Sequence, residues 1–201
     1  RGVQKRLETN NTDAEVTTDG GVTSFDSGGF TLGTLAQVNT NTATYVAWCW
    51  KGNGAGSSNT NGTITSTVSA NTTAGMSIVK WTGTAANATV GHGLGVIPNL
   101  IITKANTQVT EWPVYSSSLA NTAYLVLNTG VAQATNATYW NSTTATSAVF
   151  SLGSSTNTNN TNGMIAYCFA GISGFSKFGS YTGNGAADGP FVWCGFRPKY
   201  V

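Results

Sequence analysis

His92, in Val90-Gly91-His92-Gly93-Leu94-Gly95, is the sole histidine of the chain, so any imidazole chemistry would have to start there. General acid–base or metal work needs partner groups held at fixed distances, and the surrounding sequence supplies none. A turn histidine is the simpler reading. Phe25-Asp26-Ser27-Gly28-Gly29 contains the Asp-Ser-Gly-Gly run found around a serine-protease nucleophile. The histidine follows it, however, and no acid has the context of a buried triad member; a β-turn accounts for the run better. The acidic residues are Glu8, Asp13, Glu15, Asp19, Asp26, Glu111 and Asp188. Glycoside hydrolysis requires two carboxylates facing across a cleft, and residues 75–170 hold only Glu111. Asp13, Glu15 and Asp19 lack the spacing of a calcium loop. Gly52-Asn53-Gly54-Ala55-Gly56 lacks the Lys-Ser/Thr of a phosphate loop. The residues assign no catalytic, metal or cofactor site, and the chain reads as something other than an enzyme.

Aromatic side chains offer a different chemistry. Trp48, Trp50, Trp81, Trp112, Trp140 and Trp193 are joined by seven tyrosines. Exposed rings beside amides stack on sugars, while buried ones fill a core. Core packing is expected for most of them. Trp112 and Trp140 flank polar loops, so these two are the candidates for exposure and for contact with a glycan.

What must position these residues is an internal repeat, the first thing to look for in a sequence. Tyr45-Val46-Ala47-Trp48-Cys49-Trp50 recurs 119 residues later as Met164-Ile165-Ala166-Tyr167-Cys168-Phe169. Gly29-Phe30-Thr31-Leu32-Gly33 recurs as Val149-Phe150-Ser151-Leu152-Gly153. A second set of matches lies 99 to 100 residues apart. Gly75-Met76-Ser77 matches Gly174-Phe175-Ser176, Trp81-Thr82-Gly83 matches Tyr181-Thr182-Gly183, and Ile97–Ile101 matches Arg197–Val201. Aromatic replaces aromatic and apolar replaces apolar, as a shared buried pattern requires. His92 is matched by Val192, which argues again against a chemical duty.

The two offsets predict one complete unit at 75–170, the C-terminal part of a unit at 1–50 and the N-terminal part of one at 174–201. The Gly/Ser/Asn/Thr-rich segment 51–74 is a flexible linker or an exchanged strand; Gly62–Ser69 is dense in β-branched residues, as an added strand would be. A half unit cannot bury its own apolar face, so the two ends should complete each other, within one chain or between chains. The residues assigned to this assembly are Gly174, Phe175, Phe178, Tyr181, Phe191, Trp193, Tyr200 and Val201. The chain opens on Arg1 with no visible signal peptide, which suggests processing or a piece of something longer.

Strand-like stretches separated by Gly, Asn, Ser and Thr clusters predict an all-β fold without helices, as two β-sandwich, jelly-roll-like units. One unit is complete and the other is assembled from the two chain ends. Within 75–170 the strands fall at 75–82, 97–104, 110–115, 123–128, 137–140, 147–152 and 163–170. Pro113 lacks an amide donor, which places its strand at an edge. Cys49 and Cys168 occupy matching positions and should each lie unpaired in a core.

Charged residues make up only 8 % of the chain, far below the usual share of about 25 %. Such a neutral, hydroxyl- and amide-rich surface suits extracellular fibres and adhesins. A net charge of +2 gives no footprint for nucleic acid or an anionic membrane. The apolar stretches are strand-sized, so no membrane insertion is expected.

At Tyr45–Trp50, Gly75–Gly83, Val90–Gly95, Gly174–Gly183, Asp188–Val192 and Phe196-Arg197-Pro198 the chain resembles a particular group of repeats. These are the tandem β-rich repeats of uncharacterised function in large tail-fibre or appendage-like structural proteins of aquatic bacteriophages. The resemblance covers nearly the whole chain and implies a virion-associated, extracellular structural protein. It carries no catalytic residues. The expectation is therefore a fibre subunit joined head to tail, as a homopolymer or a longer tandem array, through β-strand complementation. The rival is an adhesin module that binds cell-surface glycans.

Overall fold

A computed structural model describes residues 2–17 and 20–201. Short elements open the chain: β1 (Lys5–Arg6), β2 (Val16–Thr17), β3 (Val22–Asp26), β4 (Gly29–Leu32) and the helical turn α1 (Ala36–Asn39). β3 and β4 form a hairpin in which Asp26 pairs with Gly29, so the Asp-Ser-Gly-Gly run is a two-residue turn. Asp26 accepts hydrogen bonds from Ser24 and Thr31, and its carboxylate is engaged within that hairpin.

Next come β5 (Ser57–Asn59), β6 (Ser66–Asn71), β7 (Met76–Thr82), β8 (Ala88–Gly91), β9 (Leu100–Ala105), β10 (Pro113–Ser116), β11 (Ala123–Val126) and β12 (Ala134–Thr135). The helical turn α2 (Ala137–Trp140), β13 (Val149–Leu152), the turn α3 (Thr156–Asn159) and β14 (Gly163–Phe169) complete the set. One antiparallel sheet runs β12-β11-β10-β9-β14-β7-β6-β5. β8 and β13 form a separate ladder, extended by a parallel bridge from Ile64 to Val90. Val90, Phe150 and Leu152 from this layer pack on Val79, Trp81, Met164 and Ala166 of the large sheet. The fold is all-β and sandwich-like, as its alternating, β-branched strands require.

Burial follows position in the sheet. β14 lies between β7 and β9, and Met164, Ile165, Ala166 and Cys168 are all fully buried. β7 alternates from Ile78 on: Val79 and Trp81 point into the core, Lys80 and Thr82 outward.

Four sequence-based expectations are corrected here. Residues 137–140 are a helical turn, because Asn136 accepts the Thr138 amide and caps it. β10 is interior, between β9 and β11; Pro113 is tolerated because it is the first residue of the strand, ahead of the ladder with β9 that starts at Val114. Residues 57–59 and 66–71, from the segment read as linker or exchanged strand, extend the large sheet through β7 of the same chain. Cys168 is buried but Cys49 is exposed, since residues 43–53 form no strand and pair with none.

Candidate functional site

Trp81 is buried as expected, but several other rings lie opposite to expectation. Trp112 and Trp140 are only 2 % and 1 % exposed, so neither offers a face to a glycan. The Trp112 indole N–H donates to the carbonyls of Glu8 and Asn11 at 3.0 and 3.1 Å, so a docked N-terminal segment seals it. Trp140 packs edge-on against Tyr115, with centroids 5.7 Å apart. Trp48, Trp50 and Trp193, by contrast, are exposed.

These exposed rings belong to two segments with little regular structure, 43–53 and 174–201. Val46 is 83 % exposed where the repeat-matched Ile165 is 0 %, and Val201 is 97 % exposed where Ile101 is 0 %. Phe175, Tyr181, Phe191 and Tyr200 are exposed as well. Gly174 has the left-handed backbone of Gly75, with φ of 75° against 66°. The two segments touch at their aromatic rings. Trp48 lies 4.9 Å from Tyr200, and Phe169 lies 5.9 Å from both Trp50 and Phe178. The Lys177 ammonium sits 4.4 Å over the Trp193 ring and donates to the Trp193 carbonyl.

A second cluster was not singled out in the sequence. Lys104, in the otherwise apolar strand β9, is fully buried. Its Nζ lies 3.0 to 3.1 Å from four acceptors, the carbonyls of Thr12, Ala105 and Gln108 and the Thr110 hydroxyl, which share its three N–H groups. Burial pushes its pKa down to about 8, against the pull of Asp13. Two backbone bonds, Glu15 N–H to Asn106 and Thr110 N–H to Thr12, dock the same segment. The one legible signal was a lysine inside Leu100-Ile101-Ile102-Thr103-Lys104-Ala105. A buried charge needs such partners.

The remaining candidates are structural. His92 is buried; Nε2 donates to the Thr146 carbonyl at 3.1 Å and Nδ1 accepts the Leu94 amide. Burial lowers its pKa, and the Thr146 contact opposes that. Glu111 accepts a hydrogen bond from Asn157. Burial raises the Cys168 thiol to about 12. Ser77 faces that thiol and pulls the other way without a fully formed hydrogen bond. Asp19 lies outside the described residues. Among the described residues no three His, Cys, Asp or Glu side chains converge as a metal site, and no helix is long and apolar enough to cross a membrane. A polar groove of about 580 Å³ beside β5 is lined by Asn53, Ser57, Asn59 and Thr72, with no aromatic ring in its walls.

All of the chain, residues 1–201, matches the model of a family described as a domain of unknown function (DUF7483). No curated protein and no solved structure matches it.

Proposed function

The chain belongs to the DUF7483 family, and on that premise we propose that it is a structural subunit of an extracellular, virus-associated fibre, assembled head to tail through β-strand complementation. The observation that carries this reading is the contrast between Val46, Trp48 and Cys49, which are exposed, and their repeat counterparts Ile165, Tyr167 and Cys168, which sit inside the sheet. A sequence that buries this pattern in one copy is built to bury it in the other. Residues 174–201 carry the matching opening strands, with Phe175 and Val201 standing where Met76 and Ile101 are buried. Unpaired strand edges template association. Because the head surface and the tail surface differ, the contact is heterologous, and without ring closure it propagates as a filament. The sparse charge of the surface and the resemblance to phage appendage repeats support an extracellular, virion-associated setting.

Negative-stain microscopy of the purified chain over a concentration series tests this. Filaments that appear with concentration, and disappear on deletion of residues 174–201, are the expected result. A monodisperse particle at all concentrations overturns it. Trp112 and Trp140 are buried, so the alternative of a glycan-binding adhesin module would have to use other, exposed rings.

A further inference from the structure

The large sheet holds a template for the joint. Near the end of β14, Cys168 stands opposite Ser77 of β7 on one side and Ile101 of β9 on the other. The next residue, Phe169, stands opposite Met76 and Leu100. Cys168, Ser77 and Ile101 are all completely buried. A close-packed site of this kind admits only small side chains at the thiol–hydroxyl pair. Both residue types are kept in the repeat, as Cys49 and Ser176. Neither lies in a strand ladder; Ser176 makes only an isolated bridge to Ile172.

Building on the assembly reading above, we propose that residues 45–50 of one copy pair with residues 175–182 of a second copy, with Cys49 opposite Ser176, and that Cys49 and Trp50 are flanked on their other side by Val201 and Tyr200 of that copy. Trp50 then stands between Phe175 and Tyr200, as Phe169 stands between Met76 and Leu100. Directly opposite residues on one sheet face are the contacts that stabilise a ladder. At Cys49 and Trp50 such a strand has backbone partners on both sides, whereas an added edge strand has them on one.

Geometry within a single chain argues for a second copy as the occupant. Trp50 is held against Phe169, the Lys51 carbonyl accepts from Asn71, and Ala170 to Ser173 alone connect β14 to the tail. So tethered, Trp48 reaches Tyr200 at 4.9 Å, a diagonal contact in the proposed register, and no backbone ladder forms between the two segments among the described residues. A second copy brings no tether. Trp48, Trp50, Phe175, Tyr181 and Tyr200 are exposed rings within the paired segments; at about 150–250 Å² each, five such rings give on the order of 1,000 Å², the scale of a specific interface.

The test is a disulfide. Residues directly opposite in an antiparallel ladder have the Cα spacing that a disulfide accepts. In a Cys194→Ser background, Ser176→Cys should link to Cys49 of the neighbour on mild oxidation. The expected product is a reducible series of dimers, trimers and higher species on a denaturing gel, lost when Cys49→Ser is added. Filaments without this crosslink overturn the register and leave the assembly reading standing. A compact monomer of Ser176→Cys, with Cys49 bonded internally to the introduced thiol, overturns the second copy as occupant. Absence of both filaments and crosslink overturns both. With the natural Ser176 and Cys194 in place, a peptide map should show alkylation of Cys49 slowed about tenfold or more on assembly; an unchanged rate counts against this pairing.

Discussion

Lys104 donates from Nζ to the carbonyl of Thr12 at 3.1 Å, joining residues 92 positions apart. The ammonium ties the N-terminal segment to the turn between β9 and β10, where the Gln108 carbonyl and Thr110 hydroxyl complete its shell. Trp112 closes the other side of the same segment through Glu8 and Asn11. The head of the chain is thus anchored on the sheet at 8–15, while its aromatic segment at 45–50 stays exposed.

Lys104→Met removes the donor and leaves several buried acceptors unmatched. The expected loss is about 1–3 kcal/mol, read by urea unfolding. Amide exchange of residues 8–15 should accelerate more than that of β14. Unchanged protection of 8–15 would remove Lys104 as the anchor.

His92 sets an acid limit. Its folded-state pKa lies below the ordinary 6.5, so the unfolded chain takes up the proton first. Stability from this group is fully present above pH 6.5 and is lost as pH falls below it. Protonating Nδ1 also sets an N–H against the Leu94 amide that now donates to it. Urea midpoints should drop between pH 7 and 5, and His92→Gln should flatten that slope. An equal slope in the variant would assign the loss to other groups.

The three thiols should separate by reactivity. Cys49 is exposed, Cys194 is half-buried and Cys168 is buried. In dilute chain at pH 8, a maleimide should label Cys49 and Cys194 and leave Cys168 until unfolding, because the thiolate is the reactive form. The folded pKa of Cys168, about 12, is above the ordinary 9, so its stabilising effect is intact below pH 9 and is lost as pH rises towards 12. Rapid native labelling of Cys168 on a peptide map would contradict its placement.

Two repeat-matched glycines should respond differently. A Cβ on Gly75 would stand 2.4 Å from the Ala170 carbonyl oxygen, whereas one on Gly174 meets nothing within 4 Å. Both have positive φ. Gly75→Ala should cost about 2–4 kcal/mol, through strain and displacement of the β7–β14 junction, and Gly174→Ala about 1 kcal/mol through backbone strain alone. Equal losses in thermal unfolding would show that Gly174 is already packed in the dilute chain.

Local pattern determined much of this protein. The β-branched runs, the alternation of β7 and the apolar run of β14 specify strands, because side-chain period and pairing surface are written residue by residue. The repeat in Tyr45–Trp50 and Met164–Phe169 picked out one pattern that the fold buries in β14 and leaves exposed at 45–50. What the sequence could not settle is which side chains the fold would cover. Trp112 has polar neighbours in sequence, yet the N-terminal segment, about a hundred residues distant, covers it. Trp48 has the same pattern as Tyr167, yet stays bare because no strand pairs beside it. Lys104 reads as a stray charge until Thr12 and Thr110 arrive from either side of it. Burial is a property of what lies on the other side of a side chain, and for these residues that neighbour comes from far along the chain; only the tertiary structure decides it.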